Sequence, residues 1–407
     1  MRAPVLYLLI AFALPAADRV TATGTVVDEA TNQPVPNATV MVYAAGVKKG
    51  YDQFCPTCYV DCGKRATTNE SGAFSIANLS GDLVFKLLVI HEGHSANFIN
   101  KVDPASGPVP PAKLKQRTSP NNPLQLVRGR LTDAKNLPVR DALISQQGII
   151  FDQGRGFGDR DWIDLVAVSN GNGEFEMAYR KPAKSMILQV APRGMAPKLV
   201  ALPTGAKPHA ITLTDGATIR GRLVYNGEPV PNAEFGLTTH SRMSGTTFQD
   251  IRIGTNENGE FAITNVPAGR VWDLYATMDS LAPKNLAAKI THIATKDDGQ
   301  DIDIGEIAAT PSHTLRGKIQ LADGAPIPPN MRVNVFADRV NDRQTLTLPP
   351  DGTFEFKGLA KGVYSFGPAV RGYQPQDPER PTEFLIEGDQ KDFNVTLYPA
   401  ATPQIGK

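Results

Sequence analysis

The chain has 407 residues, with 42 Lys and Arg against 41 Asp and Glu, 41% hydrophobic and 7% aromatic. That length suits about three or four domains, and a net charge of +1 gives no general attraction for nucleic acid or an acidic membrane. With 36 Gly and 33 Pro the chain is turn-rich, and six His and three Cys leave little material for a multi-metal or multi-histidine active site.

Met1-Arg2 gives a positive start, Val5 to Leu14 is apolar and uncharged, and Pro15-Ala16-Ala17 supplies small residues. Ten apolar residues span about 15 Å as a helix, half of a hydrocarbon core. This order predicts a secretory signal peptide over 1–19, cut between Ala16 and Ala22. The expectation is an exported protein, secreted or in the periplasm or cell envelope, with no transmembrane segment.

Beyond it, two landmarks recur four times in the same order. The first is a strand-like segment followed by a Pro-rich turn: Thr23-Gly24-Thr25 with Pro34-Val35-Pro36-Asn37-Ala38, Arg128-Gly129-Arg130 with Pro138-Val139-Arg140-Asp141-Ala142, Arg220-Gly221-Arg222 with Pro229-Val230-Pro231-Asn232-Ala233, and Arg316-Gly317-Lys318 with Pro326-Ile327-Pro328-Pro329-Asn330. The second is a turn before an aromatic: Gly72-Ala73-Phe74, Gly173-Glu174-Phe175, Gly259-Glu260-Phe261 and Gly352-Thr353-Phe354. The repeat length is near the usual domain size of about 100 residues. Asn-Gly and Asp-Gly between alternating segments predict type I′ hairpins, and short strands with frequent turns predict a β-sandwich per repeat. No sustained helical stripe appears; Met278 to Ile293 comes nearest and is broken by Pro283.

These residues, with Thr255-Asn256-Glu257-Asn258-Gly259-Glu260-Phe261 and Gly362-Val363-Tyr364 before Gly372-Tyr373, resemble the carboxypeptidase regulatory-like domain. The resemblance implies transthyretin-like, Greek-key β-sandwiches in tandem, and it speaks to fold far more than to function. The predicted class is all-β: a first sandwich over 20–102 with a Cys-rich insert, a Pro-rich linker over 103–123, sandwiches over 124–215, 216–310 and 311–400, and a tail over 401–407. The linker holds six Pro and reads either as a semi-rigid spacer or as a strap on the first sandwich.

Candidate chemistry is sparse. Cys55, Cys58 and Cys62 lie together beside Lys64 and Arg65. In an oxidising compartment they predict one disulfide and one residual thiol, which could join a partner. A redox Cys-x-x-Cys pair and a zinc site completed by His94 stay open as alternatives. None of the six His is followed three residues later by Glu, and no Gly-x-Ser-x-Gly or phosphate loop occurs, so no enzymatic activity and no cofactor are expected. Trp162, in a Gly/Arg/Asp loop with Phe157 and Arg160, is the candidate aromatic for sugar stacking, whereas Trp272 reads as core. The expected role is a structural spacer or protein-interaction module, with an envelope protein as partner; polysaccharide binding is the alternative.

Overall fold

The computed structural model describes residues 18–49, 54–157, 161–240, 251–377 and 382–400. The predicted signal peptide, Arg160 and the tail lie outside them. The chain forms two compact units, one closing at Gln116 and the other built from Arg117–Lys407. Nearly all regular structure is strand, as expected for an all-β sandwich architecture.

Each repeat follows one plan. Its first strand pairs antiparallel with the strand after the Gly-x-Phe turn, and parallel with the last strand of the repeat. In the first repeat the partners of Arg19–Asp28 are Ala73–Ser80 and Ala112–Leu114. In the second, Leu126–Thr132 lies between Glu174–Ala178 and His209–Thr212. In the third, Ala217–Tyr225 lies between Glu260–Val266 and Asp301–Ala308. In the fourth, His313–Leu321 lies between Thr353–Leu359 and Gln390–Pro399. A second sheet faces each of these, and among the described residues four separate apolar clusters fill the spaces between facing sheets.

The two sequence landmarks meet in space. Gly24, Gly129, Gly221 and Gly317 sit opposite Phe74, Phe175, Phe261 and Phe354 in the strand register. A Cβ on any of these glycines would come within 3.1 Å of the facing ring. Each aromatic therefore lies over bare backbone, which is why a Gly recurs in the middle of a strand where Gly is otherwise costly.

The turn type differs from expectation. Gly72, Gly173, Gly259 and Gly352 have φ between 71° and 77°, but the residue before each does not enter the left-handed region. A type I′ turn needs positive φ at both central residues. Here the Gly is the fourth residue of its turn, its N–H bonded to the carbonyl of Asn69, Asn170, Asn256 or Pro349. Its own carbonyl then accepts the N–H of Val26, Leu131, Leu223 or Ile319, tying the turn to the first strand. In the first three repeats the Asn side-chain oxygen captures two following N–H groups, which favours this longer turn.

The segment 103–123 is not a spacer over its first half. Ala112–Leu114 is the closing strand of the first sandwich, and Val109, Ala112 and Leu114 are buried in its core. Apolar residues at alternate positions between prolines suffice for a short edge strand, whose outer N–H groups need no partner. The second unit begins at Arg117, whose guanidinium grips Asp164 through two bonds of 2.7 and 2.8 Å. Over 278–293 the chain does turn helical briefly, at Met278–Leu281 and at Ala282–Lys284, where Pro283 sits in the first turn and Asn285 (φ 54°) ends it.

Within the second unit the sandwiches are joined closely. Asn265 donates to the carbonyls of Gly194 and Asp215, and Leu199 of the second sandwich packs on the core of the third. In the four-residue helix, Leu281 belongs to the core of the third sandwich and Met278 to that of the fourth. Asp342 accepts the Met278 N–H at 2.9 Å, Gln344 donates to Asp279 at 3.0 Å, and Arg252 donates to the Asn341 carbonyl at 2.8 Å.

Candidate functional site

The Cys-rich insert is anchored rather than loose. Cys55 exchanges two backbone hydrogen bonds with Ala45, and Gly63 and Lys64 exchange another two with Val42. Cys55 and Cys58 form a disulfide, and the Cys62 thiol donates to the Cys55 carbonyl at 3.2 Å. Beneath the insert, Asp61 is buried and takes Lys64 at 2.6 Å, Arg19 at 3.4 Å and the Ser80 N–H at 2.9 Å. The Lys64 ammonium is thus committed to Asp61 and to the Asn78 carbonyl, away from the role of activating a thiol.

The zinc alternative is not assembled. His94 is held by Asp28 at 3.2 Å and by the His91 ring at 2.8 Å. Two of the three sulfurs are joined to each other, and among the described residues these Cys and His94 do not gather as a donor group. Burial, with the neighbouring His94 ring, holds His91 below the usual imidazole range.

The aromatic loop of the second sandwich also departs from expectation. Trp162 is only 4% exposed and packs edge-on against Tyr179 with ring centroids 5.2 Å apart. Its ring lies in the core cluster, so its face is closed to a sugar. Trp162 is held inward because Asp164, gripped by Arg117, accepts the Ala178 N–H, and Ile163 donates to the Ala178 carbonyl. Phe157 is 59% exposed, and Arg160 lies outside the described residues. Trp272 is fully buried in the core of the third sandwich, its indole N–H shared between Thr295 Oγ1 and the Pro267 carbonyl.

One cluster was absent from the sequence-based expectations. In the third sandwich the strands Glu234–Thr239, Arg270–Ala276 and Thr291–Thr295 lie side by side. Leu237, Trp272, Leu274 and Ile293 face the core, so the alternate residues Thr238, Asp273 and His292 share the outer face. Thr238 is opposite Asp273, and Asp273 is opposite His292. Asp273 is wholly buried; Oδ1 lies 2.8 Å from His240 Nδ1 and 2.6 Å from His292 Nδ1. The two imidazoles meet edge to face at 4.9 Å and keep 38% and 58% of their side-chain surface exposed. Among the described residues this is the one group of three or more His, Cys, Asp or Glu arranged to hold a metal ion. The sequence signal was faint: an Asp between Trp272 and Leu274, a residue type disfavoured in strands.

No family model matches the chain, and no curated protein matches it. Solved structures similar to it include the Bacillus anthracis TIE protein, at 13% identity and TM-score 0.21, covering 96% of this chain and 76% of that one. The Streptococcal ancillary pilin gives 16% identity and TM-score 0.24, covering 68% of this chain and 100% of that one. A minor pilin of Streptococcus agalactiae gives 13% identity and TM-score 0.24, covering 47% of this chain and 100% of that one. Likeness at these TM-scores carries no functional conclusion. No helix among the described residues is long and apolar enough to cross a membrane.

Proposed function

We propose that the chain is an exported, non-catalytic array of carboxypeptidase regulatory-like β-sandwiches that holds protein-contact surfaces at fixed spacing outside the cytoplasm. The division into four sandwiches, with the first closing at Leu114 rather than at 102, is part of this reading. The observation that carries it is the continuity of the two joints of the second unit. Leu199 packs on the next core, Leu281 and Met278 of one short helix belong to the third and fourth cores respectively, and side chain-to-backbone hydrogen bonds cross both joints. A chain built only to link active or binding modules would need no such shared packing, since interdomain motion is the default for small polar interfaces. Export is supported by the apolar N-terminal run and by the Cys55–Cys58 bond, of a kind that persists in oxidising compartments.

The test is pulsed electron spin resonance on the full chain, with labels on encoded keto residues at Lys135 and Glu257, then at Glu257 and Lys318. One narrow distance distribution across each joint is expected. Broad distributions would mean that the joints flex, and a flexing array cannot set a spacing.

A further inference from the structure

The geometry points to a divalent-metal site on the outer face of the third sandwich, in which His240 Nδ1, an Asp273 carboxylate oxygen and His292 Nδ1 hold Zn²⁺ or a neighbouring first-row cation. The donor atoms all lie within 4.8 Å of one another. Donors around a cation with bonds of about 2.1 Å stand roughly 3 to 4 Å apart, so small rotations of two half-exposed rings bring them to coordination distance. Two imidazoles and one carboxylate suit zinc and its neighbours, and three protein ligands leave a position for water.

Three features favour a cation over a purely structural cluster. Asp273 is fully buried on a sheet face where a β-branched or aromatic residue would pack better, and its partners are two imidazoles rather than an Arg or Lys. Beside it on the same face, Thr238 Oγ1 is buried with no hydrogen-bond partner among the described residues, an orphan polar atom next to the carboxylate. The donors also come from two adjacent strands and from the residue that follows a third, so one cation would cross-link the sheet where sequence-distant segments meet.

The experiment uses untagged full-length protein from an oxidising compartment, alkylated to block Cys62, stripped with chelator and equilibrated with zinc alone. Metal is read by atomic emission, and the thermal midpoint is read in parallel. About one zinc per chain is expected, with a midpoint that rises with zinc concentration. The His240→Ala/His292→Ala variant should lose both the metal and the zinc-dependent rise while keeping the parent's circular dichroism. Should the double variant fail to fold, His292→Asn alters only the more exposed ring and should weaken zinc binding at least tenfold. Zinc bound equally by parent and variants, or no zinc bound by the parent, would overturn the site.

Discussion

At the scale of single residues, the repeat is a set of steric solutions. The Gly–Phe pair needs bare backbone under a ring, so adding one methyl group should be felt. Gly129→Ala is expected to destabilise the second sandwich by about 1–3 kcal/mol, the usual cost of overpacking. In a Phe175→Leu background that cost should shrink, because the smaller side chain vacates the space. Hydrogen exchange of Leu126–Thr132 in the four members of this double-mutant cycle measures both; additive costs would show that the ring is not what the methyl meets. The Asn or Asp of the Pro-rich turn has a similar cause. Asn37, Asp141, Asn232 and Asn330 all have φ between 53° and 62°, a region these two types tolerate better than other side chains. Both landmarks were legible in the sequence because backbone geometry restricts which residues can stand there.

Among strands and turns, a buried hydroxyl fastens the Pro-rich turn to the strand hairpin. Thr255 Oγ1 receives the Ala233 N–H at 2.9 Å and donates to the Val230 carbonyl at 2.8 Å. Thr68 and Ser169 do the same in the first two repeats. In the fourth repeat Leu348 occupies the corresponding place and Met331 follows the turn Asn, so hydroxyl and Ala are replaced together. Thr255→Val should leave two buried backbone groups unsatisfied and cost about 1–3 kcal/mol, while Thr255→Ser should cost far less. Chemical denaturation of the two variants decides it, and equal losses would show that the methyl rather than the hydroxyl matters. This pairing could not be read from one sequence, where Thr before Asn looks like ordinary strand composition. The closing parallel strands were hard to read for another reason: Ala112–Leu114 is short and lies between prolines. The His240–Asp273–His292 cluster escaped because its members are 33 and 19 residues apart, on two strands and at the end of a third, and only strand register brings them together.

Across the whole molecule, the joint between third and fourth sandwiches carries a titratable group. Burial pushes the Asp342 carboxyl from 3.8 up to about 7. The unfolded chain ionises near 3.8, so between there and pH 7 the unfolded state alone gains by releasing the proton. The joint is therefore strongest below about pH 4, weakens as pH rises, and reaches its full penalty above about 7. Asp342→Asn keeps an oxygen for the Met278 N–H and cannot ionise. It should melt higher than the parent at pH 8, with the gap closing toward pH 4; parallel pH profiles for the two proteins would refute this. Architecture at this scale followed from counting repeats, whereas the side chains that lock the joints did not stand out, because Leu199, Met278 and Asp342 look unremarkable in their own strands and loops. The parallel pairing of first and last strands has a mechanical consequence. A sandwich entered and left along two adjacent parallel strands is loaded in shear when its ends are pulled, so its rungs must fail together rather than unzip one by one. The first sandwich has three such paired positions, the second four, and the third and fourth six each. Stretched between its ends, the chain should yield in that order, the first repeat acting as a fuse that lengthens before the last two give way.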